Sequence, residues 1–385
     1  MKFMGYRRAD GRVGTRNHVL VLPTVVCANQ VVESICQLVK GTVTFTHQHG
    51  CAQLGKDLEQ TVRTLVGMGT NPNVYGVLVV GLGCEAVLPD MVARVVAKSG
   101  KPVHTLVIQE HGGTLGAIAE GARIAASLVQ EASLVQRQEC DVSEILLGTE
   151  CGGSDSCSGL SANPVLGYVS DKLVAAGGTV ILAETTELIG AEHLLARRAA
   201  SPEVAQALLG AIRAMEDSAK AMGVDMRGSQ PSPGNIEGGL TTIEEKSLGC
   251  IHKAGRSTLQ QVVKYAEVPC ARGLVLMDTP GHDIEQITGM VAGGANVVIF
   301  TTGRGTATGS PLVPVIKVAS NSGTMARMRD NLDFSAERVI SGEETIEQAG
   351  ERLFDELLRV CSGKLTKSEI FGHHEFAINR IGPTI

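Results

Sequence analysis

The sequence predicts an α/β protein in which repeated βα units form two Rossmann-like, mostly parallel sheets with the active site at the carboxyl strand ends. Three observations carry this. Short apolar runs recur along the chain (VLVLPTV, VYGVLVVG, EILLGT, TVILAE, GLVLM, NVVIF), and most are followed by a glycine-bearing polar turn and then a helix-like stretch. The 46 glycines among 385 residues suit many tight strand-to-helix turns. Aromatic residues make up only 3% and tryptophan is absent, which speaks against a nucleic-acid stacking surface. A chain of this length can bury more than one core. The expected units are an N-terminal α/β domain over 1–135 and a C-terminal α/β domain over 136–385 that carries Gly/Pro-rich active-site loops.

Net charge is −6, with no basic block long enough to track phosphates, so nucleic acid is excluded as the expected partner. The first residues, MKFMGYRRADGR, are too polar for a signal peptide, and no apolar run reaches spanning length. The expected location is the cytoplasm, where ten cysteines read as free thiols or metal ligands rather than disulfides.

Taken in order, Arg16 and Asn17 precede the first strand, and arginine there could clamp a carboxylate through two parallel hydrogen bonds. The next strand ends in His47-Gln48-His49-Gly50-Cys51, and the one after it in Gly83-Cys84-Glu85. The run EILLGT ends in Glu150-Cys151-Gly152-Gly153, followed by a loop of Ser154, Asp155, Ser156 and Ser158. Three apolar strands thus deliver Cys51, Cys84 and Cys151, each beside glycine, to one edge. With His47 and His49 nearby, they form the candidate metal set. Thiolate and imidazole donors favour iron or zinc over magnesium, and three thiolates with an open position suit an iron–sulfur cluster. The other seven cysteines, Cys27, Cys36, Cys140, Cys157, Cys250, Cys270 and Cys361, lack this context and read as structural.

In the second half, the strand TVILAE ends on Glu184, with Glu187 and His193 just beyond. These are the candidate acid and base groups, although charged helix starts look alike in sequence. The Pro/Gly-rich stretch PSPGNIEGGLTTIEEKSLG offers Asn235, Thr241, Thr242 and Lys246 for substrate binding, and the turn TTGRG offers Arg304 for a carboxylate. That turn is not a phosphate loop, since no Gly-Lys-Ser/Thr follows, and no G-x-G-x-x-G opens the chain as in a nicotinamide dehydrogenase.

The motifs GYRRADGRVGTRNHVLVLPTV, HQHGC, GLGCE, ECGGSD with SGLSANP, AETTELIGAEHLL, PSPGNIEGGLTTIEEKSLG, MDTPG and TTGRG resemble the catalytic large part of the altronate and galactarate dehydratase family, which also includes the large subunit of (2R)-sulfolactate sulfo-lyase. The resemblance covers nearly the whole chain. It implies β-elimination on a 2-hydroxy carboxylate, with water leaving a sugar acid to give a 2-keto-3-deoxy acid, or sulfite leaving sulfolactate. It also implies dependence on iron, as Fe(II) or a cluster, or on Mn(II) instead. Single-chain members resemble a fusion of a small β-rich domain to this region, whereas here the region starts at residue 1. The expected partner is therefore a separately encoded small β-rich subunit, in an oligomer acting on a small carboxylate. The rival from another class is a metal- or redox-binding regulatory subunit.

Overall fold

A computed structural model describes residues 1–385, and its backbone is built around two all-parallel sheets. The strands are β1 (Lys2–Arg7), β2 (Val13–Gly14), β3 (His18–Pro23), β4 (Thr42–Val43), β5 (Val74–Gly81), β6 (Val103–Val107), β7 (Gln138–Asp141), β8 (Leu146–Gly152), β9 (Thr179–Leu182), β10 (Leu259–Val263), β11 (Gly273–Met277), β12 (Val297–Thr302), β13 (Val315–Ala319) and β14 (Phe334–Ser335). A four-stranded sheet has the order β4-β3-β5-β6, and a seven-stranded one the order β10-β11-β9-β8-β12-β13-β14. A small antiparallel sheet, β2-β1-β7, ties the N-terminus to the segment just before β8. The two parallel sheets bear out the sequence expectation.

Strands buried on both faces must be apolar throughout, and these are. In β3, Val19, Leu20, Val21 and Leu22 are fully enclosed; so are Val297, Val298, Ile299 and Phe300 of β12. Each such side chain contributes about 1.5–3 kcal/mol by leaving water. The two sheets share one core cluster, in which Leu20, Leu22, Val77 and Val79 of the first meet Ile181, Val275, Val298 and Phe300 of the second. At this junction the helix Gly55–Thr70 packs on the helix Asp283–Ala292, and Gly67 lets them approach: a Cβ there would lie 2.3 Å from the Ala292 carbonyl oxygen. Asn71 donates to the carbonyls of Val291 and Ala295, and Asn73 to those of Asn296 and Leu312, so backbone groups buried between the sheets keep partners.

In each parallel sheet the direction in which the chain winds reverses once. In the larger sheet this happens between β8 and β12, and in the smaller between β3 and β5. Crevices outside carboxyl strand ends open at such points, which is where open α/β sheets bind ligands.

Candidate functional site

The end of β8 delivers Cys151 to the crevice beside β12, and three other groups converge on it. Its Sγ lies 3.3 Å from Glu187 Oε2, 3.6 Å from Glu184 Oε2 and 3.3 Å from Cys250 Sγ, while Cys250 Sγ lies 2.5 Å from Glu187 Oε2. All four residues are buried, and their donor atoms fall within 4.8 Å of one another. Local structure explains the convergence. After β9 the chain turns at Glu184, which takes a left-handed conformation (φ 70°, ψ 60°) that non-glycine residues adopt at a cost of about 1–3 kcal/mol. Thr279 and Asp278, at the end of β11, hold this corner: Glu184 N–H donates to Thr279 Oγ1 and Thr185 Oγ1 to Asp278. Glu184 and Glu187 then share one short helical turn, Thr185–Leu188 with its cap.

Cys250 comes from the helix Ile243–Ile251, which Thr242 caps by accepting from Glu245 N–H at 3.1 Å. Lys246, Cys250 and Lys253 recur at intervals of four and three, so one helical face presents all three to the carboxylates. Lys246 Nζ sits 2.8 Å from Glu187 Oε1, and the fully buried Lys253 is ion-paired with Glu184. Burial opposes the charge of Lys246, yet Glu187 holds its ammonium above the ordinary lysine range. The two thiols split: their mutual hydrogen bond lowers Cys151 and, with burial, raises Cys250. Glu150, one residue before Cys151, has both carboxyl oxygens buried without partners. Burial, reinforced by Asp283, drives its pKa well upward, toward the neutral acid.

Two ammoniums therefore balance two carboxylates. A divalent metal displacing the two thiol protons would leave this balance unchanged, and two thiolates with two carboxylates fit a borderline-soft ion better than magnesium. The buried Cys/Glu cluster could thus hold a metal. Beside it opens a cavity of about 320 Å³ lined by Ser154, Asp155, Ser156, Lys246, Cys250 and His252, among others.

Of the residues the sequence singled out, Cys151, Glu184, Glu187 and Lys246 are brought together here. Ser154 and Asp155 line the cavity, whereas Asn235, Thr241, Thr242 and Arg304 lie outside its lining, on the loops behind it. Asn235 donates to the Ser154 carbonyl, and Thr241 Oγ1 bonds Glu245. Arg304 reaches Gly234 O and Glu237. Asp155 accepts from Ser158, Ser320 and Asn321. His193 is exposed on the short helix Glu192–Ala196, outside the gathered set.

The five-residue metal set is not gathered as expected. Cys51 and Cys84 are exposed at the end of the four-stranded sheet, whereas Cys151 is buried in the seven-stranded one. Apolar strand ends look alike in sequence whichever sheet they join. His47 has both ring nitrogens in use, Nε2 toward Pro23 O at 2.9 Å and Nδ1 accepting from His49 N–H at 3.1 Å. Arg16 is not free to clamp substrate either: it is buried, pairs through two nitrogens with Glu369, and donates to the carbonyls of Thr15, Val360 and Lys364. Asn17 bridges Arg8 and the Ala132 carbonyl. Sequence reasoning missed Cys250, Lys253 and Glu150; the spacing of Lys246, Cys250 and Lys253 was the available signal.

Two family models cover almost the entire chain. That for the C-terminal part of D-galactarate/altronate dehydratase matches residues 142–384, and that for the second domain of D-galactarate dehydratase/altronate hydrolase matches 5–133. The chain belongs to the D-galactarate/altronate dehydratase family. It is 42% identical to (2R)-sulfolactate sulfo-lyase subunit beta of Chromohalobacter salexigens, over 98% of this chain and 97% of that one. It is 35% identical to altronate dehydratase of Bacillus subtilis, over 100% of this chain and 78% of that one. It is 37% identical to the L-threo-forming galactarate dehydratase of Escherichia coli K12, over 99% and 77% respectively. In this dehydratase-family chain the Cys151 cluster is the gathered set of candidate metal donors, and it lies within the segment matched by the C-terminal model. No helix is long and apolar enough to cross a membrane.

Proposed function

We propose that this chain is a metal-dependent lyase that eliminates a β-substituent from a 2-hydroxy carboxylic acid. Its first substrate class is an altronate- or galactarate-like sugar acid, dehydrated to a 2-keto-3-deoxy acid. The observation that carries this reading is the buried Cys151–Glu184–Glu187–Cys250 cluster opening on a hydroxyl-lined cavity with Lys246 at its wall. The serine hydroxyls and the single lysine suit a polyhydroxylated monocarboxylate end better than a dense dianion.

Cys151, Cys250, Glu184 and Glu187 would hold iron, with Mn(II) the less thiophilic alternative. When bound, such a metal supplies Lewis-acid polarisation of the substrate carboxylate or the departing hydroxyl. Lys246, whose ammonium Glu187 keeps charged, holds the substrate carboxylate. Glu187, whose Oε1 faces Lys246 at 2.8 Å, positions that ammonium at the cavity wall. Lys253 pairs with Glu184 in a site that excludes water. Glu150, kept neutral, adds no further negative charge where an enolate must form.

A second reading, sulfite release from a 2-hydroxy-3-sulfonate, is supported by the 42% identity to a sulfo-lyase subunit against 35–37% for the dehydratases. Under either reading the chain works in the cytoplasm, where its ten thiols stay reduced, and with a separately encoded small subunit of the kind the name "subunit beta" implies for that relative.

The test is an anaerobic, iron-supplemented assay of the chain with its candidate small subunit. Sulfolactate and a panel of five- and six-carbon aldonic and aldaric acids are offered, and keto acid and sulfite are measured separately. Keto acid without sulfite supports dehydration. Sulfite from sulfolactate alone replaces it with the second reading. No product from metal-loaded protein returns the regulatory-subunit reading.

A further inference from the structure

We propose that the carboxyl edge of the four-stranded sheet is a second metallocentre, where the thiolates of Cys27, Cys51 and Cys84 hold an iron–sulfur cluster with one iron left open. This does not rest on the reading of the Cys151 site.

Four cysteines of the chain are exposed, and three of them lie at this edge: Cys27 after β3, Cys51 after β4 and Cys84 after β5. The fourth, Cys270, stands before β11 in the other sheet. Exposed thiols are a liability unless used. β3 and β5 flank the point where the winding of this sheet reverses, so Cys27 and Cys84 border its crevice.

The three loops are laced together through backbone. Val26 N–H donates to His49 O at 3.0 Å, and Gly50 O accepts from Ala86 N–H at 3.0 Å and Val87 N–H at 3.2 Å. Each end of these bonds falls within three residues of a cysteine. Every loop is also braced from inside. Glu85 folds its carboxylate back onto Leu82 N–H, Gly83 N–H and Thr24 Oγ1, and Gln53 accepts from Gly50 N–H while donating to Asp57 and Thr61. Gly50 cannot be replaced without shifting backbone, since a Cβ there would lie 2.1 Å from Thr24 O. These braces point the acid and amide groups inward and leave the thiols outward.

Iron–sulfur clusters are held by cysteine thiolates, and three of them leave one iron of a four-iron cluster open. The charge environment also suits an anionic cluster: the helices Asn29–Leu38, Gly55–Thr70 and Pro89–Ala97 each begin two to five residues after one of the cysteines, aiming their N-termini at the same edge. Ala52, next to Cys51, is held at φ 56°, a conformation whose cost marks functional loops. His49 Nδ1, two residues from Cys51, is buried with no hydrogen-bond partner and is available to a sulfide or thiolate.

The test is anaerobic reconstitution of the full chain with iron and sulfide, reading acid-labile sulfide, iron content, broad visible absorbance and the electron paramagnetic resonance of the reduced protein. Wild type is expected to bind labile sulfide. Cys27→Ser, Cys51→Ser and Cys84→Ser should each lose most of it while keeping the wild-type thermal melt, and Cys151→Ser and Cys250→Ser should retain it. Absence of labile sulfide in wild type overturns the proposal. So does retention in the Cys51→Ser/Cys84→Ser double variant, or loss in Cys151→Ser alone, which would move the cluster to the other sheet. Failure of the lyase assay with sulfide still bound would strike the proposed function and leave this site standing.

Discussion

The two strand-end crevices of this molecule pose the same topological problem and fill it with different chemistry. At the end of β3 and β5 the ionisable side chains point inward and are spent on the backbone: Glu85 caps its own turn, and His47 is locked between Pro23 O and His49 N–H. Only the thiols remain outside. At the end of β8 and β9 the order is inverted, with thiols, carboxylates and ammoniums buried together and bonded chiefly to one another. A braced edge can present a prebuilt ligand but holds its ionisable groups in fixed hydrogen bonds rather than poised to exchange protons. A buried charged cluster holds groups poised to exchange protons, at the cost of the strain at Glu184 and the desolvation of Glu150. The second arrangement is what proton abstraction beside a carboxylate requires.

The strongest way to break this contrast is to unbalance the buried cluster. Lys253→Met leaves Glu184 as an unpaired buried carboxylate and should cost about 3–5 kcal/mol of stability, read by denaturant titration. Turnover should fall by about 10- to 100-fold in the fraction that still folds. A small change in both would show that Glu184 is not charged in the native protein.

Arg16→Met separates architecture from substrate binding. Arg16 ties the chain before β3 to Glu369 and to three carbonyls, so its loss should cost about 3 kcal/mol or more, with kcat/KM of the folded protein unchanged. A raised KM at unchanged stability would restore it as a carboxylate clamp.

The braced edge makes a pH prediction. Burial pushes His47 down to about 4 from an ordinary value of 6.5. Between those values the unfolded chain binds more protons than the native one, so stability is intact above pH 6.5 and lost as pH falls toward 4, by about 3 kcal/mol at the lower end. His47→Asn should flatten that part of the stability–pH curve, and an unchanged slope would show that another group controls it.

Much of this organisation was legible in the chain. Apolar runs closing on glycine marked both parallel sheets, and Cys151, Glu184 and Glu187 were visible because strand ends announce themselves by composition. Which sheet a strand joins is decided by long-range pairing, so Cys51 and Cys84 could not be told apart from Cys151. Cys250 and Lys253 were hidden for another reason: they lie on a helix, where apolar neighbours such as Ile251 disguise a functional face as packing. Arg16 misled because a buried arginine satisfied by carbonyls has the same local sequence as one awaiting a ligand.

The smallest expected effect concerns the outer edge of the loops that follow β8 and β12, where Arg304 N–H donates to Gly153 O. Arg304 is half exposed and divides its guanidinium between Gly234 O at 2.6 Å and Glu237 at 2.7 Å, linking the turn after β12 to the short helix Pro233–Glu237. Both bonds come from one nitrogen, Nη1, and a lysine keeps the charge but places it on a more strongly hydrated, flexible ammonium. Arg304→Lys should therefore raise KM by roughly 3- to 10-fold, about 1 kcal/mol, while kcat, metal content and the thermal melt stay near wild type. If KM is unchanged, Arg304 belongs to the loops alone. If kcat falls instead, this edge reaches the reacting atoms, and the line between a charged interior and a merely structural mouth has to be redrawn.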